Sequence, residues 1–196
     1  HIEGITKITA KDIRYAKEMG CEIKLLGVAR CQEDGVEAYV CPMLIPAEHP
    51  LASVNDSYNA VFVHGDAVGD TMFYGRGAGE LPTASAVAGD VFEVVRNMKA
   101  DCCGRVGCTC YKTLPVKNMA DTHNRYFLRL QVEDRCGVLA EILEHFAKYQ
   151  ASVAQIMQKE SKRPDTAEVV VITKLVSEGA FFKVCLLYTS DAADEE

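Results

Sequence analysis

The chain has 196 residues, of which 48% are hydrophobic and 25% charged, and its formal net charge is −7 at pH 7. This composition is typical of a globular protein with one large domain or two small ones. Four acidic side chains among the last six residues supply −4 of the net charge. The remaining −3 gives no electrostatic support for binding to nucleic acid or to a membrane surface.

The nine cysteines are an odd number, in a chain that is too long for a disulfide-stapled miniprotein. The sequence shows no signal peptide, and no apolar run is long enough to cross a bilayer. We therefore expect reduced thiols and a cytoplasmic protein. The first residue is His1 rather than Met, and patterned structure begins at once. This predicts that the chain starts part-way through a longer protein.

Helices and strands alternate in the first region. Thr9 and Asp12 form a capping-box pattern that predicts a helix to Met19, with Gly20 as its stop. Short apolar runs predict strands over 23–29, 59–64 and 71–74. A strand after the turn at 33–35 has apolar residues alternating with others: Val36, Ala38 and Val40 against Glu37, Tyr39 and Cys41. Prolines are expected to break regular structure at three places: Pro42, Pro46 and Pro50.

A glycine loop (residues 75–79, G-R-G-A-G) ends the strand over 71–74. Glycines at alternate positions let the backbone pass close to a ligand or to another segment, because they have no Cβ. Pro82 is predicted to open a helix, whose first N–H groups favour an anion. The spacing G-x-G-x-G does not fit the Rossmann fingerprint. From these residues alone, a tight turn is favoured over a ligand site.

The helix after the glycine loop is predicted to pack through one apolar face, which contains Val87, Val91, Val94 or Val95, and Met98. A cysteine-rich linker follows over residues 99–123, with Cys102, Cys103, Cys108 and Cys110. Its C-C-x4-C-x-C spacing differs from the paired C-x2-C spacing of structural zinc sites. We therefore predict no metal site there.

A second unit begins near residue 124. Alternating side chains predict a strand at 126–132, and the turn at 133–137 leads into a helix over 138–149. Further strands are predicted at 152–158 and 167–173, and a helix is predicted to start near Glu178. This order is the beginning of a ferredoxin-like β-α-β-β-α-β unit. The segment 185–196 contains no convincing fourth strand, so the unit is predicted to be incomplete.

The first region carries a family resemblance in many short segments in the same order: E-G-I-T-K-I-T (3–9), I-K-L-L (23–26), H-P-L-A-S-V (49–54), N-A-V (59–61) and the glycine loop with L-P-T-A (81–84). Residues 1–98 resemble the later part of the homoserine dehydrogenase catalytic and substrate region. The second unit resembles an ACT domain, a small-molecule sensing module, through D-x-x-G-V-L-A (134–140), Ser152-Val153, Gln158, Thr173 and Glu178.

The resemblance divides the chain into residues 1–98 of a catalytic region, a linker at 99–123, an incomplete ACT-like domain at 124–184 and a probable non-native tail at 185–196. The fold class expected is α+β, with a mixed β-sheet and helices followed by a truncated ferredoxin-like ACT domain. The tail is similar to translated sequencing adapter and is given no structure.

The resemblance implies an oxidoreductase that interconverts L-homoserine and L-aspartate 4-semialdehyde with NAD(P), in threonine, methionine and isoleucine biosynthesis. It implies cofactor contact at Gly79 and Gly77, and effector binding at Asp134, Gly137, Val138 and Leu139, with an end-product amino acid such as threonine as the effector. It also implies a homo-oligomer. The family's nucleotide-binding domain and catalytic residues correspond to sequence upstream of Gly4, so this chain alone is expected to be inactive.

No catalytic residue is assigned within the chain. Lys24 could be a catalytic base, but a lysine on the solvated face of a half-buried strand is the commoner case. His49 and His64 could act as acid–base groups, but neither has an acidic or nucleophilic partner nearby in the sequence, so structural or surface roles are favoured. A second hypothesis is a non-catalytic regulatory module that senses an amino acid and forms oligomers.

Overall fold

The computed structural model describes residues 1–104, 112–161 and 163–189. It divides into two compact units. We call Ile2–Leu26 with Val40–Thr113 the N-terminal unit, and Gly27–Tyr39 with Leu114–Glu196 the C-terminal unit. Within the described residues, no helix is long and apolar enough to span a bilayer.

The elements follow one another in this order: α1 (Ala10–Glu18), β1 (Cys21–Gln32), β2 (Gly35–Pro46), β3 (Tyr58–Gly65), β4 (Gly69–Arg76), α2 (Glu80–Lys99), β5 (His123–Asn124), β6 (Phe127–Glu133), α3 (Val138–Lys148), β7 (Val153–Glu160), β8 (Thr166–Thr173), β9 (Val176–Ser177) and α4 (Glu178–Thr189). Short 3-10 turns lie at Pro50–Ser53 and Met119–Asp121. The α+β class is confirmed. The single mixed sheet is wrong, because the strands form small separate sheets: β1–β2, β3–β4, β5–β9 and β6–β8–β7.

The predicted capping box at the start of α1 is confirmed. The Thr9 side chain accepts from the backbone of Asp12, and the Asp12 carboxylate lies 2.8 Å from the Thr9 backbone nitrogen. Two donors that helix formation leaves unpaired are satisfied in this way.

The β1–β2 hairpin is longer than predicted and buries the opposite face. Glu37 and Tyr39 are buried, whereas Val36 and Ala38 are more exposed. Pro42 does not break β2, which continues to Pro46. Val36 and Val40 bond to Pro115 and Glu3, outside the hairpin. Because bonding direction alternates along an antiparallel strand, the missing N–H of Pro42 also points away from β1, where a proline is tolerated.

The helix that follows the glycine loop starts at Glu80, two residues before the predicted start at Pro82. The prediction of a packed face on α2 is wrong for the described part of the chain. Val91 is 55% exposed and Met98 is 75% exposed, and α2 contains no buried residue. The apolar stripe is present, but the described residues do not cover it.

The hydrophobic core of the C-terminal unit lies between the β6–β8–β7 sheet and two helices. Val169 and Val171 of β8, Ile142 and Phe146 of α3, and Val184 of α4 are almost completely buried. Both strand pairs in this sheet are antiparallel, and β8 lies between β6 and β7. The predicted strand, helix, strand, strand, helix order is therefore observed, with α4 starting at Glu178 as expected.

The expectation of no structure from residue 185 onward is wrong for residues 185–189. These residues continue α4, and Tyr188 packs against the core. The Tyr188 hydroxyl lies 2.8 Å from Nδ1 of His145. Burial, together with the nearby Glu141 carboxylate, raises the pKa of Tyr188 to about 12. The remaining predicted tail, residues 190–196, lies outside the described residues.

Candidate functional site

The glycine loop connects β4 to α2 in the N-terminal unit. Gly75 is paired with Asn59 inside the β3–β4 hairpin, and a methyl group added at Gly75 would meet nothing within 4 Å. A single structural requirement therefore does not explain all three glycines. Gly77 and Gly79, the two predicted cofactor contacts, are each favoured as glycine for a separate local reason.

Gly77 lies directly against a side chain of the neighbouring strand. A Cβ at Gly77 would be 1.5 Å from Nδ2 and 2.5 Å from Cγ of Asn59, far inside contact distance. The Gly77 backbone N–H also donates to the Ser57 carbonyl at 3.3 Å. These contacts hold the glycine loop close to β3.

Gly79 is the N-cap residue of α2. Its φ of +124° and ψ of 155° lie in a region that residues with a side chain rarely adopt. The Thr83 N–H donates to the Gly79 carbonyl at 3.1 Å, which is the first hydrogen bond of the helix. Pro82 stands in the first turn, where its missing N–H removes no intrahelical bond.

The start of α2 has no side-chain cap among the described residues. The N–H groups of the first turn are therefore available to an acceptor, and the helix dipole makes this end favourable for negative charge. The glycine loop thus combines a backbone free of side chains at Gly77 and Gly79 with uncapped donors at Glu80 and Leu81.

An aromatic pair lies at the base of the glycine loop. The rings of Tyr58 and Tyr74 stack with centroids 4.8 Å apart and an interplanar angle of 3°. The Arg76 guanidinium lies 5.0 Å from the Tyr58 ring centroid and donates to Ser57 Oγ at 3.2 Å. These contacts fix the strand ends from which the loop departs.

Lys24 and His49 make contacts of a structural kind. Lys24 Nζ donates to the Val54 carbonyl at 2.5 Å and to Asn55 Oδ1 at 2.8 Å, so it holds the chain after the 3-10 turn. His49 Nδ1 accepts from the Leu51 backbone N–H at 3.2 Å, which caps the same turn.

His64 lies at the far end of the β3–β4 hairpin. Its Nδ1 is 2.6 Å from Asp70 Oδ1, and both side chains are mostly exposed to solvent. The cross-strand pairing of His64 with Asp70 brings the two groups together. No nucleophile accompanies this pair among the described contacts.

Only part of the cysteine-rich linker can be placed. Cys102 and Cys103 are exposed, and Cys108 and Cys110 lie outside the described residues. No metal-binding group of His, Cys, Asp or Glu occurs among the residues that are described. The absence of a metal site in the full linker therefore stays a prediction.

The predicted effector residues surround the turn from β6 into α3. Gly137 is the N-cap of α3 with φ +93°, Val138 is buried, and Leu139 packs against the core. The Asp134 backbone N–H donates to the Asp165 carbonyl at 2.9 Å. Gln158 Nε2 lies 3.5 Å from Asp134 Oδ1, which brings β7 to the same turn.

Arg135 stabilises this turn through hydrogen bonds to two glutamates. Its guanidinium binds both carboxylate oxygens of Glu141, at 2.9 and 2.6 Å, and Glu133 Oε2 at 3.1 Å. The hydrogen bonds and charge of Arg135 hold the pKa of Glu141 below its ordinary value and raise the pKa of Arg135 itself. The bidentate geometry fixes the first turn of α3 to the end of β6.

Sequence reasoning missed a polar network at the tip of the β1–β2 hairpin. Glu37 is buried; Gln32 Nε2 donates to its Oε1 at 3.0 Å, and Arg30 lies 3.5 Å from its Oε2. Arg30 also donates to Asn124 Oδ1 at 3.3 Å. Lys117 lies 2.8 Å from Asp34 and holds the pKa of that carboxyl below its ordinary value. The sequence contains no spacing signal that joins the hairpin to Lys117 and Asn124.

Comparison with known proteins gives a family for the first part of the chain. Residues 1–92 match the family model described as homoserine dehydrogenase. The chain is 45% identical to the homoserine dehydrogenase of Corynebacterium glutamicum over 179 residues, which cover 88% of this chain and 39% of the relative. It is 39% identical to the Bacillus subtilis enzyme, with 92% of this chain and 42% of the relative covered.

Solved structures give the same result. A homoserine dehydrogenase from Thiobacillus denitrificans superposes with a TM-score of 0.85 at 38% identity, over 96% of this chain and 43% of that protein. The S. aureus enzyme at pH 7.0 gives a TM-score of 0.60 at 29% identity, over 92% of this chain and 43% of that protein. The chain therefore spans about two fifths of the length of the relatives that it matches.

We predict that Gly77→Ala destabilises the N-terminal unit by about 1 kcal/mol, because the new methyl group collides with Asn59. The matched control is Gly75→Ala, where a methyl group meets open space. Urea unfolding of the three proteins measures the difference. The double variant Asn59→Ala with Gly77→Ala should recover most of the loss, and equal stability of the two glycine variants would contradict the steric explanation.

We predict that Arg135→Gln raises the pKa of Glu141 toward its ordinary value and leaves the pKa of Asp34 unchanged. Lys117→Gln should raise the pKa of Asp34 toward its ordinary value and leave the pKa of Glu141 unchanged. A folded-state pKa below the unfolded value means that each pair stabilises the fold at neutral pH and loses this effect as the pH falls through the folded-state pKa. Carboxyl titration by NMR measures the pKa values of Glu141 and Asp34. A Glu141 pKa that is unchanged in Arg135→Gln would refute the Arg135–Glu141 pair.

Proposed function

We propose, since residues 1–92 belong to the homoserine dehydrogenase family, that this chain is part of an NAD(P)-dependent enzyme that interconverts L-homoserine and L-aspartate 4-semialdehyde. This reaction leads toward threonine, methionine and isoleucine. The observation that carries the proposal is the 38% identity and TM-score of 0.85 with the Thiobacillus denitrificans homoserine dehydrogenase over 96% of this chain. A cytoplasmic location is part of the same proposal.

Gly79 and Gly77 are the proposed cofactor contacts. Bound NAD(P)H supplies the hydride in this reaction, and a flat ring needs a backbone from which no side chain projects. Gly77 and Gly79 meet this requirement, and the uncapped first turn of α2 offers donors beside them. This part of the chain therefore fits one side of a cofactor site.

We expect the chain by itself to be inactive. In the family that it resembles, the nucleotide-binding domain and the catalytic lysine and acids correspond to sequence upstream of Gly4.

The solvent-exposed apolar stripe of α2 supports this expectation independently. Its apolar residues span the width typical of a helix that faces a globular core rather than a narrow coiled-coil seam: Leu81, Ala84, Val87, Ala88, Val91, Val94, Val95 and Met98. A further apolar layer is required to cover them.

The C-terminal unit is proposed to be an ACT-like sensor of an end-product amino acid such as threonine. Its β-α-β-β-α order and its three-stranded sheet support this proposal. Asp134, Gly137, Val138 and Leu139 are the proposed effector residues. The start of α3 after Gly137 suits a carboxylate, and the Arg135–Glu141 bidentate pair fixes the turn that would receive it.

The alternative is a non-catalytic module that senses an amino acid and forms oligomers. Both proposals include a homo-oligomer, because exposed apolar surface of this extent favours association. They differ in what the N-terminal unit does: as part of the enzyme it contributes to hydride transfer, and as a regulatory module it does not.

A chimera separates these two functions. We predict that residues 1–98 of this chain, placed in the matching segment of the Corynebacterium glutamicum enzyme, support homoserine oxidation, whereas the isolated chain does not. In the chimera, Gly79→Val should raise the KM for the oxidised cofactor, NAD⁺ or NADP⁺, about tenfold or more, equivalent to ~1.4 kcal/mol of binding. Gly75→Val is the control and should leave that KM unchanged. An inactive but folded chimera would favour the regulatory alternative, and an unchanged KM in the Gly79 variant would remove this loop from the cofactor site.

We predict that the chain binds L-threonine in isothermal titration calorimetry and that Asp134→Ala weakens this binding about tenfold, equivalent to ~1.4 kcal/mol. Glu144→Ala is the control, because Glu144 is exposed on α3 away from the turn. Threonine binding that is insensitive to Asp134→Ala would move the effector site elsewhere. No heat with threonine would contradict threonine as the ligand.

A further inference from the structure

A lysine on β1 reaches a distant segment of the N-terminal unit. Lys24 Nζ donates to the Val54 carbonyl at 2.5 Å and to Asn55 Oδ1 at 2.8 Å, 30 and 31 residues further along the chain. Among the described residues, no carboxylate forms an ion pair with this half-buried side chain. Two hydrogen bonds to neutral oxygens therefore account for its position.

The residues that Lys24 binds belong to a tight turn before β3, which we call the turn segment (residues 54–58). The Tyr58 N–H donates to the Asn55 carbonyl at 3.2 Å and closes the turn. Asp56, between them, has a φ of +56°, a left-handed conformation that costs free energy for a residue with a side chain. Such a conformation persists where surrounding contacts hold it, and Lys24 supplies two of these contacts.

The opposite end of the turn segment holds the glycine loop. The Ser57 carbonyl accepts from the Gly77 N–H at 3.3 Å, and the Ser57 hydroxyl accepts from Arg76 at 3.2 Å. Tyr58 is paired with Arg76 at the start of the β3–β4 ladder. The turn segment therefore connects Lys24 to the glycine loop through hydrogen bonds at both of its ends.

We propose that Lys24 is a positioning residue for the glycine loop and acts through the turn segment. The inference rests on the proposed function, in which Gly77 and Gly79 contact the cofactor. A contact between bare backbone and a flat ring requires the loop to be placed to within about 0.5 Å. Lys24 donates to the turn segment and not to the glycine loop, so it affects cofactor binding only through the position of that loop.

Solvent exchange of backbone amides, followed by NMR in the full chain, tests the positioning step without any cofactor. Lys24→Met removes both hydrogen bonds and should speed exchange of the Gly77 amide about fivefold, as expected for the loss of one or two hydrogen bonds. Lys24→Arg keeps the charge and several donors, and should keep the wild-type rate. The control amide is that of Ala47, which donates to the Gly20 carbonyl at 2.9 Å in the same unit.

Two results of this measurement would overturn the inference. Equal acceleration of the Gly77 and Ala47 amides in Lys24→Met would mean that the whole unit has lost stability. An unchanged Gly77 rate would mean that Lys24 does not hold the loop.

The chimera with the Corynebacterium glutamicum enzyme tests the consequence for the cofactor. Lys24→Met should raise the KM for NAD⁺ or NADP⁺ about fivefold and leave the KM for homoserine unchanged. Lys24→Arg should retain the wild-type values. The matched control is Lys17→Met, because Lys17 is exposed on α1, and it should change neither KM.

The Gly79→Val chimera separates failure of this inference from failure of the proposed function. A cofactor KM that responds to Gly79→Val but not to Lys24→Met would overturn the positioning role and leave the cofactor site intact. A cofactor KM that responds to neither variant would contradict the cofactor site itself, and the positioning role with it.

Discussion

Burial of apolar side chains stabilises this fold, and the two units bury their apolar side chains to different extents. In the C-terminal unit, β8 has a strand on each side and helices over one face, so Val169 and Val171 are removed completely from solvent. Ile142, Phe146 and Val184 close that core. In the N-terminal unit, large apolar side chains of α2 and of the β3–β4 hairpin are exposed to solvent; Phe73, for example, is 68% exposed. A two-stranded hairpin gains little stability unless one of its faces is covered. The architecture of the N-terminal unit thus depends on further apolar contacts.

Local sequence signals predicted the parts of the fold whose causes are local. The Thr9–Asp12 capping box, the alternation along β6 and the glycine at the start of α3 each act over a few residues, so the pattern contains its own explanation. The face of β2 was not predictable in this way. The buried Glu37 carboxylate accepts one hydrogen bond, from Gln32, and forms an ion pair at 3.5 Å with Arg30, both on the facing strand. Apolar alternation favoured the other face, and no short-range rule identifies such partners.

The stripe on α2 and the segment after residue 184 mark two further limits. Periodicity correctly predicts that α2 has an apolar face, but it cannot say which part of a protein covers that face. Residues 185–189 were expected to have no structure, yet they continue α4 because Tyr188 reaches the core and His145. A helix end that is stabilised by packing leaves no signature in its own sequence. In both places tertiary contact outweighs local preference.

The glycine loop illustrates how far structural and functional explanations of one motif can be separated. Gly75 has open space, a Cβ at Gly77 would require the Asn59 side chain to move, and Gly79 is held in a conformation that favours glycine. Structural need alone accounts for two of the three, so the presence of glycine at those two positions is not itself evidence of a ligand. The proposed cofactor contact is supported instead by the combination of that bare backbone with the uncapped turn of α2. The φ of +124° at Gly79 is one that Ser, Thr or Asp rarely adopts, so this backbone conformation excludes the usual side-chain caps. Gly79 provides no side-chain cap, and the N–H groups of the first turn therefore have no capping partner among the described residues.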